Sequence, residues 1–374
     1  MKNIIYADNA ATTKLDHEAL EAMSPFFMEA YGNASQPYSF SRGVKKAIKQ
    51  ARKTIADCIN AEPDEIYFTA CGSESDNWAI QGIAFNDMNG EIITSEIEHH
   101  AILKTCAEIA NYGIKVSYMK PDKNGVILPE VLNEAITSKT RLVSIMFVNN
   151  EIGSIQPIKE LCSIAHKRGA LFHTDAVQAV GHIRIDVKDL GVDLLSASAH
   201  KFNGPKGVGF LYIKRGTHIK SLIYGGSQEF GYRAGTENVA GIIGMATALK
   251  NNCDSIDDNN AHLRVLENKL LDGLSGIRFI RNGAKEHAFG IMSLSFPNQD
   301  GESILHRLDL KGIIVSTGAA CDSVNTKISH VLKAIRLDEK YAKGTIRISL
   351  GKNNTEEDAN KIASELKEIL TQLY

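Results

Sequence analysis

Several features are missing from this sequence, and each absence narrows the reading. No apolar run approaches the roughly 18 residues of a membrane-spanning helix. Neither sign of charge dominates: 42 Lys and Arg face 44 Asp and Glu, for a net charge of -2 and a pI near 6.6. No electrostatic grip on nucleic acid or on a membrane surface is therefore expected. The six cysteines (58, 71, 106, 162, 253 and 321) form no CxxC pair and no regular spacing. That excludes a disulfide framework and a cysteine zinc site, so free thiols in a reducing compartment and no metal are expected. The opening MKNIIYADNAATT has only a short apolar run between Lys2 and Asp8 and no cleavage site, which reads as a cytoplasmic protein. Repeats, low-complexity tracts and Pro/Gly-rich linkers are absent as well.

What is present is enough chain, 374 residues, to bury a large core in two domains. From about residue 44 to 215, helix-period and strand-like segments alternate. GVKKAIKQARKTIADCI has the spacing of an amphipathic helix. EIYFTA, EIITS, KVSYM, RLVSIMFV, ALFHTD and DLLSASA read as short, mostly apolar strands, the pattern of a mainly parallel sheet covered on both faces. GVGFLYIKR reads as a further strand after a tight Gly connection, a candidate antiparallel partner. A helical stretch from about residue 259 then leads into a shorter α+β pattern ending in TIRISLG and a last amphipathic helix. The expected organisation is α/β, with a large domain over 14–255 and a smaller α+β domain formed by 1–13 and 256–374. Cys58 and Cys162 fall on apolar helix faces and read as small buried hydrophobes.

In such a sheet ligands bind beyond the carboxyl ends of the strands. Five apolar runs here are followed by polar clusters: CGSESDN, EHHA, NNEIG, DAVQ and HKFNGPKG. A lone lysine is normally a solvated surface residue. Lys201, after the small residues SASA, sits where a lysine with a lowered pKa can form a Schiff base. That chemistry suggests pyridoxal phosphate, and the other clusters can be read against its needs. Asp175 is an acid available for the pyridinium nitrogen, 26 residues before Lys201, about the length of a helical crossover. Gly72 and Ser73 open a helix, with Ser198 and His200 nearby in sequence to Lys201, as a phosphate requires. His99 offers a flat ring to stack on, and Asn150 and Gln178 can hydrogen-bond a cofactor oxygen or a substrate carboxylate. Arg347, in a strand-like run, is either a surface cross-strand charge or a bidentate clamp for a carboxylate.

Taken together, YADNAATT, SDNWAIQG, EHHAIL, VNNEIGSIQPI, DAVQAVG, SAHKFNGPKGVGFLYIK, RAGTENVAG and STGAACDS resemble the cysteine desulfurases of the class V aminotransferase family, of the type with a long cysteine loop. The resemblance runs in order from about residue 4 to 360. It implies a pyridoxal-phosphate-dependent aminotransferase-like fold (fold type I) and a homodimer. Lys201 would hold the cofactor and shuttle the Cα proton. Asp175 would pair with the ring nitrogen and Gln178 with the ring hydroxyl. His99 would stack on the ring and serve as acid or base. Gly72, Ser73, Ser198 and His200 would hold the phosphate, with Thr236 reaching the phosphate of the other subunit. Asn150 and Arg347 would bind the substrate carboxylate.

The Gly-Ala-Ala-Cys stretch is what points to desulfurases: Cys321 would attack the sulfur of cofactor-bound L-cysteine, become a persulfide, release L-alanine and pass sulfur to an acceptor protein. The pathways this implies are iron–sulfur cluster assembly or another thio-modification, DNA phosphorothioation among them. Two positions depart from the family pattern. Tyr38 stands where a histidine is usual, and Ala234 where serine is common. The alternatives are a selenocysteine lyase or another class V aminotransferase, which would share Lys201, Asp175 and His99, and a retired pyridoxal-fold binding subunit, which would have no reason to keep Cys321.

Overall fold

The structure is a computed structural model that describes residues 4–317 and 328–371. It opens with a two-residue strand, β1 (Ile5–Tyr6). The main sheet is then built from β2 (Ile66–Thr69), β3 (Glu91–Ser95), β4 (Lys115–Met119), β5 (Thr140–Ser144), β6 (Leu171–Asp175), β7 (Leu194–Ser198) and β8 (Gly209–Ile213). Their order is β2-β8-β7-β6-β5-β3-β4. All pairs are parallel except those of β8, which is antiparallel to both β2 and β7. Every residue of β3, β7 and β8 is buried, as expected of strands covered on both faces.

One covering helix, Arg42–Ile59, buries Val44, Ile48, Ala51, Ile55 and Ile59 on one stripe and ends at Asn60 in the left-handed conformation (φ 57°), a residue type that tolerates that cap. It packs against the helix Val239–Asp254. On the other face Trp78, the single tryptophan, is fully buried with Ile80, Ile83 and Ile102.

After the helix Ile256–Gly273 come β9 (Ile280–Asn282), β10 (Ile291–Ser295), β11 (Ile313–Ile314) and β12 (Thr345–Ser349). Strands β12-β10-β9 form a separate antiparallel sheet. The start of the chain belongs with this part: β1 pairs in parallel with β11, and Ile5 and Ala7 are buried in the same core as Leu266, Met292, Ile346 and Leu366. Ala10, five residues on, belongs to the core of the main sheet.

Two local expectations differ from the structure. RLVSIMFV suggests a strand running to Val148, yet β5 stops at Ser144. The Met146 N–H donates to the Glu98 carboxyl (2.9 Å), while the Phe147 N–H donates to the Asp175 carbonyl and its own carbonyl accepts the Gln156 N–H. A buried side chain thus competes with the ladder for the backbone. The β6–β7 connection contains only a four-residue helix, Val187–Leu190, started by the Asp186 side chain and closed by Gly191 at φ 79°. The rest of the connection, residues 176–193, contains no helix or strand.

Candidate active site

At the carboxyl ends of β2, β3, β5, β6 and β7 the chain encloses a cavity of about 290 Å³. Gly72 and Ser73 enter it as the first turn of the helix Gly72–Ala84, whose preceding residue Cys71 supplies no side-chain cap. The backbone N–H groups of this turn are therefore offered to a ligand. A side chain at 72 would meet Val177 Cγ2 at 2.7 Å and Ser198 Cβ at 3.4 Å, so glycine is needed for the close approach of helix, β6 loop and β7.

Opposite this turn, Lys201 Nζ donates to the carbonyls of Ala10 (2.5 Å) and Ala11 (3.0 Å). Gln178 Nε2 donates to the same Ala10 carbonyl at 2.8 Å, leaving its amide oxygen as an acceptor. Both side chains are thus positioned by the segment after β1. His200 hydrogen-bonds Thr12 Oγ1 (3.1 Å), and burial, with Lys201 and Lys206 adding to it, pushes its imidazole down to about 4.

Asp175 ends β6 and is 5% exposed; its Oδ1 accepts the Val177 N–H at 2.9 Å. Burial raises the carboxyl's proton affinity, against the opposing pull of His99, that hydrogen bond and Lys201. His99 precedes the helix His100–Asn111 and accepts the Ala101 N–H on Nδ1 (3.1 Å). Its neutral ring therefore carries hydrogen on Nε2, and burial is the main cause holding its pKa below the usual imidazole value.

From the second sheet, Arg347 on β12 is 5% exposed. Its Nη1 donates to the Asn150 carbonyl (3.0 Å) and its Nη2 to Asp8 Oδ1 (2.7 Å), while Nε is buried with no hydrogen-bond partner. The surface cross-strand reading of this arginine is thereby excluded.

Thus Gly72, Ser73, His99, Asn150, Asp175, Gln178, Ser198, His200, Lys201 and Arg347 line one cavity. Thr236 does not: it lines a separate cavity with Glu229 and Arg233. Cys321 lies outside the described residues. The chain leaves for it from Ser316, which is bridged to Arg347, and returns at Ser329 and His330.

Five lining or contacting residues escaped the sequence reading. Asp8 was visible only as the acid in YADNAATT. Asp76 is fully buried, with one carboxyl oxygen unpartnered and burial beside Asp175 holding its pKa well above the usual carboxylate range. Glu151, His100 and His330 complete the wall. Asp76, His100 and Glu151 fall in the polar clusters CGSESDN, EHHA and NNEIG, whereas His330 carried no such signal. Among the described residues no group of three or more His, Cys, Asp or Glu could hold a metal ion, and no helix is long and apolar enough to cross a membrane.

The Aminotransferase class-V family model matches residues 5–362, and the chain belongs to that family. Relatives share most of its length. The "Cysteine desulfurase IscS" of Clostridium botulinum (strain Hall / ATCC 3502) is 48% identical over 379 residues, covering 100% of this chain and 96% of the relative. The protein of the same name from Methanosarcina thermophila is 47% identical over 373 residues, covering 99% and 92%. Among solved structures, a "NIFS-LIKE PROTEIN" superposes with a TM-score of 0.93 at 39% identity, covering 99% of this chain and 100% of the other. "SspA in complex with cysteine" superposes at 0.84 with 35% identity, covering 94% and 100%. The fold is accordingly the pyridoxal-phosphate-dependent aminotransferase-like one, with a mostly parallel central sheet.

The family uses pyridoxal phosphate, and the residues present fit that group. A buried acid waits for a cation, a lysine faces it across the cavity, and a glycine-opened helix turn with hydroxyls suits a phosphate.

Proposed function

We propose that the protein is a cysteine desulfurase, converting L-cysteine to L-alanine and moving the sulfur to Cys321 as a persulfide. The observation that carries this is the convergence of Lys201, Asp175 and His99 with Arg347 on one cavity. The first three suit the cofactor and the last suits an amino-acid carboxylate. The relatives' name supports the same chemistry, and a related protein solved with cysteine supports the substrate.

Pyridoxal phosphate, when bound, supplies a carbonyl to capture the substrate amine and a ring that draws electrons from its carbon atoms. The chain's own residues bind and orient. Gly72, Ser73, Ser198 and His200 hold the phosphate, and Thr236 does so across the interface of a homodimer. Asp175 keeps the ring nitrogen protonated, Gln178 bonds the ring hydroxyl, and His99 stacks on the ring. Asn150 and Arg347 hold the carboxylate. Lys201 moves the Cα proton. Cys321 attacks the substrate sulfur: an S–S bond forms, the C–S bond breaks, and the carbon takes up a proton to become the alanine methyl.

The persulfide then passes its sulfur to an acceptor protein in the cytoplasm, for iron–sulfur cluster assembly or another thio-modification. Residues 14–255 act as the cofactor-binding unit, and 1–13 with 256–374 as the unit carrying the nucleophile and the arginine. The core that Ile5 and Ala7 share with Leu266, Met292 and Ile346 supports that division, while Ala10, Ala288 and Ile291 pack across it into the main-sheet core.

The test is peptide mass spectrometry after one turnover with L-cysteine and no reductant. A reducible gain of one sulfur on the Cys321 peptide, with alanine released, is expected, and Cys321→Ser should keep the bound cofactor's absorbance while losing sulfur transfer. Bound cofactor with no sulfur on Cys321 would favour a selenocysteine lyase or an aminotransferase instead.

A further inference from the structure

A carboxyl buried without a cation or a backbone N–H to bond pays heavily to ionise, and keeps its proton instead. The cavity wall holds such a group in Asp76, beside the acid already assigned to the ring nitrogen.

We propose that Asp76 is a positioning residue for the ring-nitrogen site: it forms one buried acid pair with Asp175, stays neutral while Asp175 carries the charge, and takes that charge over when Asp175 is removed. The inference rests on the reading of the cavity as a pyridoxal phosphate site.

The helix and the sheet place the pair. Asp76 comes four residues after Gly72 on the helix Gly72–Ala84, so the two share a face, and both line the cavity with Asp175. That helix packs on β5, β6 and β7. His173 and Asp175, two residues apart on β6, share a face of the sheet. Ser144 of β5 is in register with His173, and Ser196 of β7 with Asp175. None of these four is more than 5% exposed, so Asp76 lies on a buried polar stripe.

Hydrogen bonds divide the pair unequally. Asp175 accepts the Val177 N–H at 2.9 Å, and His99 and Lys201 pull its proton affinity down. Asp76 is 1% exposed and its Oδ1 has no hydrogen-bond partner. The Ser196 hydroxyl eases its charge, against burial, Asp175, Glu98 and Cys71. His173 is no counter-ion. Its Nε2 stands 3.8 Å from Asp76 Oδ1, beyond hydrogen-bond range. Ser144 and Ser196 hold its two ring nitrogens, and burial keeps the imidazole neutral. Two neighbouring acids in such different surroundings ionise one after the other, as a pair.

The titratable groups facing Asp76 are thus Asp175 and His173 from β6, Glu98 from the turn after β3, and Cys71 just before its own helix, with His99 and Lys201 also lining the cavity. One negative charge on the pair matches one positive charge on a protonated ring nitrogen. With Asn at 175, that cation draws the charge onto Asp76, whose proton leaves to solvent. Asp76 acts here through its charge in a water-poor wall, where such effects are strong.

The test is a double-mutant cycle on the affinity of the cofactor-free protein for pyridoxal phosphate, read from quenching of Trp78, the single tryptophan. Asp76→Asn should bind within about twofold of wild type at neutral pH. Asp175→Asn should lose on the order of 10²-fold. The double variant should lose about tenfold more than the product of the two single effects. The affinity of Asp175→Asn should also rise with pH relative to the double variant, because binding there expels the Asp76 proton. A double variant that matches the product overturns the proposal, as does an Asp76→Asn loss as large as that of Asp175→Asn, which would put a charge on Asp76 in the wild type. Should Asp76→Asn not fold, Asp76→Ala, which leaves no polar atom to bury, replaces it in the same cycle. Wild-type protein that binds no pyridoxal phosphate refutes the reading of the cavity itself, and is read separately from the variants.

Discussion

Arg347 and Asp8, 339 residues apart in sequence, meet at 2.7 Å with side chains 6% and 17% exposed. The pair joins β12 to the segment after β1, the same segment whose Ala10 carbonyl receives Lys201 and Gln178. A guanidinium proposed to clamp a substrate carboxylate thus already has a carboxylate partner, and the two should compete.

Asp8→Asn should therefore have two effects of opposite sign. Removing one member of a buried pair leaves an uncompensated charge and costs about 3–5 kcal/mol of stability. It also releases Arg347 for the substrate, so KM for L-cysteine should fall. Arg347→Ala should instead lower kcat/KM on the order of 10²-fold. Urea midpoints followed by Trp78 fluorescence, together with steady-state kinetics, measure both. An Arg347→Ala enzyme with wild-type KM would remove the arginine from substrate binding.

Gly72→Ala probes the cradle at the helix start. The added methyl would sit 2.7 Å from Val177 Cγ2 and must push the first turn away from Ser198, at about 1–3 kcal/mol for an overpacked site. Affinity of the cofactor-free protein for pyridoxal phosphate should fall about tenfold or more. Gly43→Ala is the matched control. It lies exposed on the helix Arg42–Ile59 with nothing within 4 Å of a new Cβ, so it should stabilise by about 0.5–1 kcal/mol and leave cofactor affinity alone. Equal affinities for all three proteins would mean that the turn at Gly72 does not contact the phosphate.

How far the sequence could be read follows the range of the interactions. The strands of the main sheet announce themselves because burial on both faces makes them apolar over their whole length, and the polar residue that ends each run marks the cavity side. Lys201, Asp175 and His99 are legible for that local reason. Arg347 could be seen, but not its burial or its partner, because Asp8 reaches it through long-range pairing of the chain start with β11 and with Ser349 of β12. His330 carries no local mark at all. It enters the wall through a short helix whose position depends on Ile97, Ile152 and the Ser329–Glu151 contact, all distant in sequence. The end of β5 differs from the apolar pattern because the buried Glu98 takes the Met146 N–H that the pattern assigns to a strand.

Glu98 also gives stability a pH dependence. It is fully buried, and burial pushes its carboxyl up to about 8 from 4.5. Between those values the folded protein keeps a proton that the unfolded chain has released, so this contribution is complete below pH 4.5 and is lost as pH rises through 8. His173, fully buried between Ser144 and Ser196, behaves oppositely. Burial pushes it down to about 3 from 6.5, so its contribution is complete above 6.5 and is lost as pH falls toward 3. The two cancel between 4.5 and 6.5; above that Glu98 acts in the same direction as the buried Asp76, whose carboxyl is also held well above the usual range. Wild-type stability should then drop as pH rises from 6.5 toward 8, with Glu98 contributing about 1.4 kcal/mol per pH unit, and Glu98→Gln, which keeps the shape and cannot ionise, should fall less steeply over that interval. Urea midpoints at half-unit steps decide it: wild type and variant falling in parallel would mean that Glu98 is ionised in the folded protein and that another group sets the alkaline limb.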